Sequence, residues 1–314
     1  MSFEINIDYS QHTPVIKLLD NQTHSSAEIY AYGGLLNAFT ARVGGRDLNV
    51  VSGFESVDDA TKNITNGFKS AKLSPFVCRM REGKYEWNED LFMADKFFLG
   101  NHAIHGIIYD AAYRIRSCKT DADSASVTLF YAYTGTEKGY PFPYLIQLVW
   151  KLEKANKLSV VTSITNASPV PIPISDGWHP YFTLGDTIDD YTIQFNSNQQ
   201  IEFDADLLPT GNLIPENRFE NGISLKGIFL DNCFELDKNI NSSKCILTNK
   251  NTKLIIEPSI AYPYLQIYTP EDRKKIAIEN LSSAPDAFNN KIGLVILEPQ
   301  ATTNFSTSYT IINE

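Results

Sequence analysis

The sequence predicts an all-β protein, built as an antiparallel sandwich in preference to a parallel α/β fold. Three observations point there. Apolar residues recur with a period of two, prolines and glycines punctuate the chain at short spacing, and no amphipathic helix of three turns can be found. The aromatic content of 12% supplies residues that suit strands. Periodicity alone leaves a closed barrel open as an alternative.

Taken along the chain, Gly44-Gly45 after Val43 reads as a hairpin turn. Ser56–Thr61 reads as a short helical piece. Ser126–Tyr133 is rich in β-branched and aromatic residues and predicts a strand. Tyr144–Leu152 places Ile146, Leu148, Trp150 and Leu152 on one face. Leu158–Thr165 follows the turn Lys154-Ala155-Asn156-Lys157, so these two strands predict an antiparallel hairpin. Further strands are expected at Lys253–Glu257, Leu265–Tyr268, Ile276–Glu279, Gly293–Leu297 and Thr307–Ile312, with a second helical piece near Ser283–Asn289.

The 314 residues show no internal repeat, low-complexity linker or charge block, so a single domain over 1–314 is expected. With 43% hydrophobic and 20% charged residues the chain can bury a large core. Its net charge of −10 argues against nucleic-acid partners and disfavours a strongly anionic substrate. The N-terminus lacks the pattern of a signal peptide, and no apolar run is long enough for a membrane span, so a cytoplasmic protein is expected. Cys78, Cys118, Cys233 and Cys245 are widely spaced; they read as buried free thiols rather than disulfides or zinc ligands.

Candidate chemistry lies in polar residues in distinctive settings. His179, in Gly177-Trp178-His179-Pro180-Tyr181-Phe182, could exchange protons near neutral pH beside an aromatic wall, or could simply close a tight turn. His105 precedes Gly106, which permits close approach of backbone or ligand; a loop histidine held by hydrogen bonds is the plainer account. His102 and His105 lie three apart, and such positions on a strand face opposite sides, so a metal pair is not expected. His12 and His24 read as surface residues. Glu279 follows the apolar Ile276-Ala277-Ile278, where partial desolvation would raise its pKa toward that of a useful base; from position alone, an exposed strand-end glutamate is favoured. Arg79, Asp231 and Gln266 have no individual signature; a turn cap suits Asp231 and an exposed strand position suits Gln266. Motifs for a serine elbow, a phosphate-cradling loop or a dinucleotide site are missing from the sequence.

Several segments, in order, resemble the aldose 1-epimerase (galactose mutarotase) family over nearly the whole chain. They are Tyr32-Gly33-Gly34-Leu35-Leu36, Val50-Val51-Ser52-Gly53-Phe54, Gly139-Tyr140-Pro141, Leu208-Pro209-Thr210-Gly211 and Leu265-Gln266-Ile267-Tyr268-Thr269. The resemblance implies a large, distorted antiparallel β-sandwich. It implies Glu279 as general base and His179 as general acid, with His105 near the ring oxygen. Arg79, Asp231 and Gln266 would then bind sugar hydroxyls. It further implies a small sugar as substrate and no metal or other cofactor; a monomer or homodimer is expected. Cys78 stands where the family pattern has asparagine, Ile107 replaces a glycine, Trp178 and Pro180 flank His179, and Thr183 follows Phe182. These departures are expected in the pocket wall, where they would alter sugar preference. Two alternatives are a hexose-6-phosphate epimerase, with Arg81 and Lys84 as phosphate ligands, and a sugar-binding module without catalysis.

Overall fold

The computed structural model describes residues 2–237 and 244–314. Among these, three sheets carry the architecture, and their strand pairings are antiparallel. A five-stranded meander opens the chain: Phe3–Asp8, Val15–Asp20, Ser25–Tyr30, Leu36–Val43 and Arg46–Asn49. A nine-stranded sheet runs in the order Arg114–Thr120, Ser124–Tyr133, Tyr144–Glu153, Lys157–Asn166, Thr302–Asn313, Thr252–Pro258, Cys245–Asn249, Thr192–Phe195, Ile223–Ser224. An eight-stranded sheet follows the path Pro209–Pro215, Ser197–Phe203, Asp231–Leu236, Tyr264–Tyr268, Ile276–Leu281, Gly177–His179, Ala71–Leu73, with Tyr181–Phe182 also paired to Ile276–Leu281. The arrangement is a large antiparallel β-sandwich, as the sequence led one to expect.

Alternation along the strands builds the core. Ile146, Leu148, Trp150 and Leu152 are buried, as the period-two pattern requires. The nine-stranded and eight-stranded sheets face each other through Trp150 against Trp178 (5.3 Å between ring centres) and Phe182 against Tyr309 (5.6 Å). The N-terminal meander joins the same hydrophobic cluster through Ile16, Leu18 and Ile29.

The predicted strands appear close to their expected limits. Ser124–Tyr133, Tyr144–Glu153, Lys157–Asn166 and Thr302–Asn313 are longer than expected, and Val295–Leu297 is shorter because Gly293 turns with φ of +74°. Both predicted hairpin turns are confirmed. Ala155 and Asn156 both have positive φ, as do Gly44 and Gly45, the conformation that matches the twist of paired strands. The helix near Ser56 spans Val57–Asn63, and the Ser56 side chain caps it by accepting from the Asp59 N–H at 3.1 Å. The second helical piece is only Ala287–Asn290. One thiol departs from expectation: Cys118 is exposed on an edge strand, while Cys78, Cys233 and Cys245 are buried and free.

Candidate active site

Adjacent strands of the eight-stranded sheet set Cys233, Gln266 and Glu279 in a row, each opposite the next. The alternation of side chains decides which face they occupy. Ile276 and Ile278 enter the core, and Asn280 donates to the Thr307 hydroxyl of the facing sheet at 2.8 Å. Glu279 therefore opens on the other face, away from the sandwich interior. Strand Ile276–Leu281 continues past Glu279, so this residue lies mid-strand and only 2% exposed. The expectation of an exposed strand end fails for that reason. Gln266 is likewise buried, because strands cover it on both sides.

His179 ends a short strand on the far flank of Glu279. Trp178 points into the sandwich, so His179 turns to the face that carries Glu279. Its Nε2 lies 3.3 Å from the Glu279 Oε1. A buried ion pair anchors this strand from beneath. Lys72, opposite Trp178, donates to the Asp176 carboxylate at 2.5 Å and to the Gly177 carbonyl at 3.0 Å. Its ammonium also sits 4.3 Å from the Trp178 ring centre, and the Tyr262 hydroxyl donates to Asp176 at 2.6 Å. Burial draws Lys72 down to about 8, against the pull of Asp176.

His105 and Cys78 are both held at positive φ, +63° and +49°, and the His105 N–H donates to the Cys78 carbonyl at 3.0 Å. Gly106 makes this possible. It sits against the Ser74 backbone with φ of +76°, where an added Cβ would collide with the Ser74 carbonyl. The His105 ring packs edge-on against His179 at 4.9 Å and against Phe68 at 4.7 Å. His102 faces away, and its Nδ1 accepts from the Glu82 N–H at 3.1 Å.

Arg79 is fixed through its backbone. It pairs with Ile104, and its carbonyl accepts from the Asp286 N–H at 2.8 Å. The Asp286 carboxylate accepts in turn from the Arg81 N–H at 2.9 Å. The segment Pro285-Asp286-Ala287 thus acts as a clamp on the arginine strand. Asp231 completes the set, and the Gln266 amide donates to it at 2.8 Å.

All six predicted residues line one cavity of about 320 Å³, a size suited to a small molecule. Sequence reasoning missed the aromatics Phe68, Phe97 and Phe203, which form part of its walls. Phe68 follows Asn66-Gly67, a turn signal, but nothing local marks its ring as a wall. Of the expected aromatic partners of His179, Tyr181 reaches the cavity while Phe182 packs into the core. The departures from the family pattern also need correction. Of these, only Cys78 lines the cavity; Trp178 and Ile107 belong to the core cluster, and Pro180 and Thr183 are not among the cavity's lining residues. Strand alternation explains Trp178, whose neighbour His179 takes the opposite face. Arg81 pairs with Asp204 at 3.2 Å and Lys84 with Glu82 at 2.8 Å, and neither lines the cavity.

Burial dominates the electrostatics. It raises the Glu279 carboxyl well above the usual range, with the Asp231 charge adding and Arg79 opposing. It lowers His179 to about 4 and lowers His105 well below an ordinary imidazole, with His179 and Arg79 adding to the latter shift. Asp231 is raised by burial, against Arg79 and the Gln266 hydrogen bond. The pocket therefore favours a protonated Glu279 beside a neutral His179. Such a pair holds one transferable proton in surroundings that solvate charge poorly.

Fold and pocket together define a protein of the galactose mutarotase-like sandwich class. Comparison with known proteins agrees. The family model described as Aldose 1-epimerase matches residues 16–310. The chain is 30% identical to the uncharacterized protein YihR of Escherichia coli K12, over 72% of this chain and 73% of that protein. It is 23% identical to an aldose 1-epimerase of Streptococcus thermophilus, over 84% of each. Among solved structures, a galactose mutarotase-like protein from Clostridium acetobutylicum superposes with a TM-score of 0.85 at 21% identity, covering 99% of this chain and 98% of that one. Galactose 1-epimerase from Lactobacillus acidophilus superposes with a TM-score of 0.83 at 18% identity, covering 99% of both chains. The chain belongs to the aldose 1-epimerase family. Among the described residues, no helix is long and apolar enough to cross a membrane.

Proposed function

We propose that this protein is a mutarotase that interconverts the α and β anomers of a neutral aldose. The observation that carries the reading is the 3.3 Å approach of His179 to Glu279 inside the buried cavity. Opening an aldose ring requires a proton to leave the C1 hydroxyl and another to reach the ring oxygen. Both oxygens are bonded to C1, so the base and the acid must lie side by side.

In this mechanism Glu279 takes the C1 hydroxyl proton and the C1–O bond gains its second pair. The bond from C1 to the ring oxygen breaks, and that oxygen takes a proton from His179. The free aldehyde rotates about C1–C2, and the steps reverse on the other face of the carbonyl. The reactive state is the carboxylate–imidazolium form, reached when the proton the pair shares passes from Glu279 to His179 across their 3.3 Å separation; ring opening then returns Glu279 protonated and His179 neutral, the distribution that burial favours in this pocket. The site thus eases the proton transfers that open the ring. His105 and Arg79 would hold and polarise the ring oxygens, while Asp231 and Gln266 would accept and donate to further hydroxyls. Phe68 and Tyr181 offer apolar faces to the ring C–H groups.

A phosphorylated sugar is a weaker fit, because Arg81 and Lys84 pair with Asp204 and Glu82 outside the cavity. The test is anomer exchange followed by NMR on glucose, galactose, xylose and glucose 6-phosphate, with and without protein. Acceleration on a neutral sugar is expected. Acceleration on the phosphate alone would overturn the choice of substrate class, and folded protein without effect on any sugar would favour a binding role.

A further inference from the structure

The floor of the cavity carries a second constellation. Cys78, His105 and Glu279 are all buried, and one ligand atom from each lies within 4.8 Å of the others. The His105 Nδ1 and the Glu279 Oε2 are buried without a hydrogen-bond partner among the described residues. These are polar atoms that an apolar wall would leave costly and a bound cation would satisfy. From these observations we infer that Cys78, His105 and Glu279 form a binding site for a thiophilic divalent cation such as zinc, and that the metal competes with the sugar.

Several physical points support it. Thiolate, imidazole and carboxylate are the ligand types that zinc takes, and three protein ligands with a fourth open position is a common arrangement. Tetrahedral zinc would hold these atoms roughly 3.3–3.6 Å apart, given ordinary zinc–ligand lengths. Rotamer adjustment of Glu279 and Cys78 would close the difference. Charge also balances. Binding releases the protons of the Cys78 thiol and the Glu279 carboxyl to solvent, and the two anions neutralise the cation while His105 stays neutral. Arg79 and Asp231 face the same cavity with opposite charges and offset each other. The backbone bond from His105 to the Cys78 carbonyl keeps these two ligands together before any metal arrives. Widely spaced cysteines gave no zinc pattern in the sequence, because the three ligands come from segments far apart in the chain and meet only in the fold.

The experiment uses the full chain and two probes. Cobalt(II) titration reads the thiolate charge-transfer band, and zinc chloride calorimetry reads affinity. The expected result is one metal per chain with a thiolate band that disappears in Cys78→Ser, whose zinc affinity falls at least tenfold. Cys118→Ser, which removes the exposed thiol, should leave both signals unchanged. No binding, or equal binding and the same spectrum in Cys78→Ser, would overturn the proposal. A second arm rests on the mutarotase reading: zinc should inhibit anomer exchange in the parent, less as sugar concentration rises, and tenfold more weakly in Cys78→Ser. The spectroscopic arm stands whether or not anomer exchange is catalysed, so failure of either idea can be told from failure of the other.

Discussion

Replacing Glu279 with glutamine should cost the protein its turnover and make it more stable. Glutamine nearly matches the shape of a protonated carboxyl, the form that burial favours, so the fold should survive. Loss of a positioned base lowers the rate by roughly 10²–10⁴. That corresponds to about 3–5 kcal/mol of barrier. Stability moves the other way. The folded pKa of Glu279 lies well above the ordinary value of 4.5, chiefly through desolvation. Above pH 4.5 the unfolded chain has released this proton while the folded chain still holds it. The group's favourable contribution is therefore complete below that pH and is lost as pH rises toward the folded pKa. Each pH unit in that window costs about 1.4 kcal/mol. A neutral amide at this position carries no such cost, so Glu279→Gln should be more stable than its parent at pH 7, by a margin that grows as pH rises through that window. The gain should vanish below pH 4.5. Urea unfolding across this pH range, beside NMR anomer exchange, reads both effects. A variant less stable at neutral pH would refute the desolvation argument, and near-normal turnover would refute the role of base.

Four other outcomes are expected. Because His179 is lowered to about 4, the unfolded chain takes up its proton first as pH falls below 6.5, and stability is lost between those values. His179→Asn should therefore flatten the acid limb of the stability curve by about 1 kcal/mol per pH unit, measured by urea midpoints. Asp231→Asn should raise KM and shift the basic group of the kcat/KM profile to lower pH, since the Asp231 charge raises Glu279. Lys72→Met should destabilise by about 3–5 kcal/mol by stranding Asp176, and adding Asp176→Asn should recover much of it in chemical unfolding. Gly106→Ala should cost about 2 kcal/mol or more through the collision with Ser74, and should lower kcat by displacing His105, measured by unfolding and anomer exchange.

The sheets were legible in the sequence because one buried face per strand imposes a period of two, as in Ile146, Leu148, Trp150 and Leu152. Turn chemistry was legible too, in Gly44-Gly45 and Ala155-Asn156. The identity of the six site residues came from resemblance to a family, since Asp231 and Gln266 carry no local signature. Burial was the quantity that local reading missed. Whether Glu279 is exposed depends on where its strand ends and on what covers that face, and both are set by residues far away. The same holds for Phe68 and Phe97, which become walls only through distant partners, and for Cys78, whose importance rests on His105 and Glu279. Conversely, Trp178 looked like part of the site because it adjoins His179 in sequence, yet adjacent residues on a strand part company.

The row Cys233, Gln266, Glu279 has one further consequence. Its members sit on three separate strands, and His179, His105 and Arg79 arrive from earlier segments of the chain. The pocket is complete only when segments spread from Arg79 to Glu279 have come together. Long-range pairing of this kind is slow to form. During refolding, catalytic recovery would mark the last register to lock, arriving after the strands themselves have appeared. Turnover in this protein would then be a clock for the completion of its own architecture.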